Sequence, residues 1–197
     1  MIWKQRFFNL PNILTFLRII LAGGIIFYIF GDSLSSKIIA FLFFNIACLT
    51  DFYDGYMARK KNLVSNLGKL MDPIADKILI FSCFLAFLQM NLIKGWMVLI
   101  IISREIIITG FRFYALSKGR VIAAEKMGKH KLVSQIVAIY TIFISLIIKK
   151  INISADLWKI LQQYSSVAIN LSMWTAVIFT IISGSSYIWR NKDLIEF

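Results

Sequence analysis

Four of the seven aspartates in this chain fall between residues 51 and 76: Asp51, Asp54, Asp72 and Asp76. Asp51 and Asp54 are three residues apart, and Asp72 and Asp76 are four apart. Either spacing puts a pair of side chains on one face of a helix. Carboxylates gathered in one place repel each other and lose solvation, so such a group needs a counter-cation. Oxygen ligands without Cys or His select a hard ion, Mg²⁺ or Mn²⁺. Four carboxylates can hold two such ions, an arrangement suited to phosphoryl transfer. The single histidine, His130, and the two cysteines, Cys48 and Cys83, offer no zinc constellation.

The elements that must position these acids are apolar. The 197-residue chain is 59% hydrophobic and 16% charged, with a mean hydropathy of +0.76. A soluble domain of this size carries more charge, so the bilayer is the first solvent to consider. Six stretches have the length and composition of membrane spans: Leu10 to Phe30, Ser36 to Asp54, Ile74 to Leu92, Trp96 to Leu116, Leu132 to Ile148 and Tyr164 to Trp189. They leave room for one domain, residues 1–197, an all-α integral membrane protein. The first stretch is too long for a cleaved leader and is interrupted by Arg18. Cys48 and Cys83 lie inside predicted spans and do not read as a disulfide framework.

The net charge of +12 is not the footprint of nucleic-acid binding, because of where it falls. Lys4 and Arg6, then Arg59, Lys60, Lys61 and Lys69, then Lys118, Arg120, Lys126, Lys129 and Lys131, then Arg190 and Lys192 occupy alternate connections. The positive-inside rule therefore puts both termini in the cytoplasm. Trp3, Trp96, Trp158 and Trp189 sit near span ends, where an aromatic belt belongs. Asp51 and Asp54 then lie at the cytoplasmic end of the second span. Asp72 reads as the N-cap of the third, with Pro73 at its first helical position and Asp76 in its first turn. Joined by a loop from Arg59 to Met71, the two spans can bring all four carboxylates together. Pro11 and Asn12 open the first span, and the loop Lys149 to Gln163 has room for a short surface helix.

The acids belong to a longer pattern: Asp51-x2-Asp54-Gly55-x2-Ala58-Arg59-x8-Gly68-x3-Asp72-x3-Asp76. One reading is that acids merely flank the spans and pair with nearby lysines. Against it, eight such positions match by chance on the order of once in ten million chains at average residue frequencies. Gly55, Ala58 and Gly68 lack bulk and leave the backbone open to close approach, and Arg59 can make paired hydrogen bonds to an anion. The pattern resembles the signature of the CDP-alcohol phosphotransferase family at every fixed position. The resemblance implies that family's fold. It also implies that Asp51, Asp54 and Asp72 hold metal on the donor diphosphate. Asp76, by the same resemblance, completes the metal site and is the general base for the acceptor hydroxyl. A homodimer is a further implication. The expected place of work is the cell (inner) membrane, crossed several times, with the active site facing the cytoplasm.

Asn12, Thr15 and Arg18 form one polar stripe at the cytoplasmic end of the first span. They read either as a cap with a snorkelling arginine or as contacts to the diphosphate of CDP-diacylglycerol. In the fourth span Glu105, Thr109 and Arg112 share a face. Arg104 and Glu105 fit a buried ion pair as well as they fit catalysis. Arg112, Lys129 and Lys131 can form a cationic pocket beside the metals, or can be ordinary cytoplasmic-side charge. Such a pocket suits an acceptor that carries a phosphate, sn-glycerol 3-phosphate or inositol phosphate, over serine, choline or ethanolamine. Leu10 to Arg18, Arg104 to Arg112 and Gly128-Lys129-x-Lys131 resemble the subfamily that forms phosphatidylglycerophosphate. That subfamily often has threonine after its second lysine, where Leu132 stands here. The same chemistry with inositol phosphate, serine or phosphatidylglycerol as acceptor is the alternative. A transporter would place charge at the bilayer midplane between inverted repeats, and no repeat is visible.

Overall fold

The computed structural model describes residues 10–61, 66–118, 126–151 and 155–191, with side chains described at 16–50, 77–118, 127–151 and 160–191. Among these residues there are six helices and no strand: α1 (Leu10–Ile29), α2 (Leu34–Lys61), α3 (Asn66–Gln89), α4 (Gly95–Ser117), α5 (Lys126–Ile148) and α6 (Ala155–Arg190). Each of the six apolar stretches lies largely within one helix. Met127–Ile148 and Ile160–Arg190 are long and apolar enough to cross a membrane. α4 is of similar length, but Arg104, Glu105 and Arg112 interrupt it. Two compact units divide the chain, residues 1–86 and 87–197.

In the first unit α1 packs on α2. Apolar burial gives little drive between helices in lipid, so close approach and shape decide their packing. Ala22 and Ile25 of α1 and Ala40, Phe44 and Ala47 of α2 are buried. A Cβ at Gly24 would stand 2.7 Å from the Phe43 ring, which also meets Tyr28 edge-on at 5.6 Å. Gly24→Ala is therefore expected to cost about 1–3 kcal/mol through overpacking, read as a lower unfolding midpoint in detergent. The turn is built from side chains. Ser33 Oγ accepts from the Ser36 amide at 3.0 Å, which caps α2. Lys37 Nζ donates to the Ile29 carbonyl at the end of α1, where a cation offsets the negative end of the helix.

The second unit gathers α4, α5 and α6, with α6 packed on both partners. Its core holds Met97, Ile101 and Ile108 of α4, Ile139, Ile142 and Phe143 of α5, and Met173, Ala176 and Val177 of α6. Phe87 meets Phe143 edge-on at 5.4 Å. Before α4, the Asn91 amide donates to the Leu88 carbonyl at 2.9 Å and the Leu92 amide to that of Phe87 at 3.0 Å. Asn91 holds the left-handed conformation this stop requires, with φ at 55°. Large apolar side chains such as Phe27 of the first unit and Trp189 of the second are exposed, at 76% and 77%.

Three boundaries differ from the sequence reading. α3 begins at Asn66, so Asp72 and Pro73 are its seventh and eighth residues, not its N-cap and first position. Leu67, Lys69, Leu70 and Met71 are good helix formers and carry the helix back past the proline. Proline costs one backbone hydrogen bond there, a loss that helices in membranes accommodate. The Arg59–Met71 loop shrinks accordingly, since α2 continues to Lys61. α6 starts at Ala155 and absorbs part of the stretch read as a loop with a separate short helix.

Candidate active site

Asp51 and Asp54 lie in the later part of α2, and Asp72 and Asp76 in the first half of α3. Only residues 62–65 separate the two helices, and connections that short generally join antiparallel neighbours. Asp51 stands ten residues before the end of α2, and Asp76 ten after the start of α3. Asp54 stands seven before that end, and Asp72 six after that start. At 1.5 Å of rise per residue the outer pair is about 15 Å and the inner pair about 10 Å along the axis from the connection. A shared cation site requires similar offsets of this kind on two neighbouring helices. The four side chains themselves lie outside the described residues.

Gly55, Ala58 and Arg59 follow in the last two turns of α2, and Gly68 is the third residue of α3. Their side-chain positions lie outside the described residues, as do those of Asn12 and Thr15 in the opening turns of α1. Arg18, on the same helix, is described. Its side chain is buried within the protein, 1% exposed, and does not snorkel outward.

The second unit holds a buried polar cluster at the meeting of its three helices. Arg104 Nη1 donates to Glu105 Oε1 at 3.0 Å, and Nη2 donates to Ser183 Oγ of α6 at 2.6 Å. Lys131 Nζ, from the second turn of α5, donates to the same Glu105 Oε1. Thr109 Oγ1 donates to the Glu105 carbonyl at 2.6 Å. One turn along α5, Gln135 Nε2 donates to Thr180 Oγ1 of α6 at 3.3 Å. Glu105, Lys131, Gln135, Thr180 and Ser183 are all buried. A Cβ at Gly184 would come within 3.1 Å of Arg104 Cγ, so the arginine stem crosses bare backbone there.

The open question about Arg104 and Glu105 is thus answered by an ion pair. The expected trio of Arg112, Lys129 and Lys131 differs in burial. Lys131 is buried on Glu105, whereas Arg112 and Lys129 are exposed on the ends of α4 and α5. Leu132 is exposed as well. Sequence reasoning missed Thr180, Ser183 and Gly184. Their spacing of i, i+3 and i+4 in an apolar helix was the available signal, because small and polar residues at that spacing mark a face pressed on another helix.

The family model described as CDP-alcohol phosphatidyltransferase matches residues 8–182. A Bacillus subtilis protein named CDP-diacylglycerol–glycerol-3-phosphate 3-phosphatidyltransferase is 36% identical, over 96% of this chain and 98% of its own length. A Rickettsia felis protein of the same name is 38% identical, over 91% of this chain and 93% of its own. A third of that name, from Mycoplasma pneumoniae, is 32% identical over 70% of this chain and 67% of its own length. With the aspartate pattern held whole inside the matched region, the chain belongs to the CDP-alcohol phosphatidyltransferase family.

Proposed function

We propose that the chain is a membrane transferase that moves the phosphatidyl group of CDP-diacylglycerol onto sn-glycerol 3-phosphate, giving phosphatidylglycerophosphate and CMP. What supports the chemistry is the spacing of Asp51, Asp54, Asp72 and Asp76 in the sequence, with the first pair in α2 and the second in α3, inside the region the family model matches. The acceptor rests on the names of the near full-length relatives.

The donor set fits a hard divalent ion, being four carboxylates without sulfur or imidazole. Asp51, Asp54, Asp72 and Asp76 would hold Mg²⁺ or Mn²⁺, as two ions, and the bound metal supplies charge neutralisation on the donor diphosphate. Asn12, Thr15, Arg18 and Arg59 bind the CDP-diacylglycerol head, with Gly55, Ala58 and Gly68 leaving room for the nucleotide. Arg112, Lys129 and Lys131 take the phosphate of the acceptor. Asp76 accepts the proton of the glycerol C1 hydroxyl as its oxygen bonds to the phosphorus that carries diacylglycerol. The bond from that phosphorus to the bridging oxygen breaks, and CMP leaves with the oxygen and its electron pair. Phosphoryl transfer needs little covalent help from the protein, so positioning and charge carry most of the rate.

The lipid tails of donor and product stay in the bilayer, which explains why the helices are apolar. In this reading all six helices span the inner membrane of the cell, both termini and the active site face the cytoplasm, and the enzyme is a homodimer. The distribution of Lys and Arg along the sequence supports that orientation. Purified protein given both substrates and Mg²⁺ is expected to release CMP and form phosphatidylglycerophosphate. Serine, inositol phosphate or phosphatidylglycerol in place of glycerol 3-phosphate is expected to give no product. Product from one of those acceptors alone would reassign the head group.

A further inference from the structure

Glu105 is the sole carboxylate among the described side chains of residues 87–197, and it stands between two cations. Its Oε1 accepts from Arg104 of its own helix at 3.0 Å and from Lys131 of α5. Arg104 in turn is fixed from the far side by Ser183 of α6 at 2.6 Å. Its stem lies over Gly184, where a Cβ would come within 3.1 Å. Every member is held by another, and each of the three helices contributes. A lysine ammonium rides on a flexible four-carbon stem with considerable rotamer entropy. A cation that must meet a phosphate is more effective when that freedom is already removed.

We propose that Glu105 is a positioning residue for the acceptor: its carboxylate, braced by Arg104 and through Arg104 by Ser183, holds the Lys131 ammonium in the place where it meets the acceptor's phosphate. The three charged groups sum to +1, so the cluster attracts a phosphate while keeping its cations anchored. Ser183 and Gly184 have the same role at one remove, which assigns a task to the helix farthest from the aspartate pattern in sequence. The inference rests on the reading of Lys131 as an acceptor ligand.

The test is steady-state kinetics of the full-length protein in mixed micelles, each substrate varied in turn, for Glu105→Gln, Glu105→Asp, Ser183→Ala and Lys131→Met. Glu105→Gln keeps the volume and removes the charge. It is expected to raise KM for glycerol 3-phosphate by ~10- to 100-fold, the range of one charge-assisted hydrogen bond. KM for CDP-diacylglycerol and kcat should stay within about threefold, because uniform binding of one substrate is what is lost. Glu105→Asp, shorter but charged, is expected to recover most of the loss, whereas a packing role would favour the isosteric Gln. Ser183→Ala is expected to raise the same KM by about 3- to 10-fold, toward the low end for one charge-assisted hydrogen bond because it acts only through Arg104, and decides the matter if Glu105→Gln does not fold. Lys131→Met raising that KM while Ser183→Ala and a folded Glu105→Gln leave it at the wild-type value would overturn the positioning role alone. Equal increases in both KM values would overturn it too. An unchanged KM in Lys131→Met would remove Lys131 from the acceptor site, and this inference with it.

Discussion

Replacing Asp76 with asparagine is expected to lower kcat by about a thousand- to ten-thousand-fold, the upper range for removing a general base. Asparagine has the same shape and sits in the interior of α3, so the helix persists. It cannot accept a proton, and it is a poorer metal ligand than a carboxylate. CMP release at saturating concentrations of both substrates measures the effect, and KM for CDP-diacylglycerol should move far less than kcat. Asp32→Asn is the matched control. Asp32 stands in the exposed turn between α1 and α2, outside the proposed machinery, and the activity of that variant should remain close to wild type. An Asp76→Asn enzyme with wild-type turnover would remove both of its assigned roles.

Chelation is expected to have a comparable effect. Metal at a transferring phosphoryl group supplies several kcal/mol of charge stabilisation, which corresponds to a rate loss of about a hundred- to ten-thousand-fold on removal. EDTA should therefore silence CMP release, and excess Mg²⁺ or Mn²⁺ should restore it. Ca²⁺ should restore less, because it takes longer bonds and more ligands than Mg²⁺. Activity surviving exhaustive chelation would contradict the carboxylate reading of all four aspartates, whatever the acceptor.

The aspartate pattern was legible because its information lies in spacing along the chain. Asp51 and Asp54, then Asp72 and Asp76, declare helix faces without any knowledge of tertiary structure. The apolar stretches were legible for the same reason, and each falls largely within one helix. Their ends were less so. Pro73 after Asp72 looks like a helix start, but Leu67 to Met71 favour helix, and the chain continues it back to Asn66. The surface-like composition of Ala155 to Gln163 hid the first turns of α6, because a helix leaving an apolar environment changes composition without changing conformation.

Contacts between helices were the least legible. Periodicity puts Glu105, Thr109 and Arg112 on one face of α4, and the structure grades that face from buried Glu105 to exposed Arg112. Nothing in the spacing says that Lys131, 26 residues on, closes on Glu105. Nor does it say that Ser183, 79 residues from Arg104, braces the pair. A lysine beside other cations in a basic segment reads as one of a group. Only the packing of α5 against its neighbours separates Lys131 from Lys129.

The central claim is that Asp51, Asp54, Asp72 and Asp76 share a single cation-binding site. Electron paramagnetic resonance of Mn²⁺ titrated into the purified full-length protein counts bound ions directly. Wild-type protein is predicted to take up Mn²⁺ with loss of the free-ion signal. Asn substitution at any one of the four positions should weaken that uptake, and substitution at all four should abolish it. Equal uptake by wild type and the fourfold variant, or uptake that responds to only one of the two helices, would contradict the shared site.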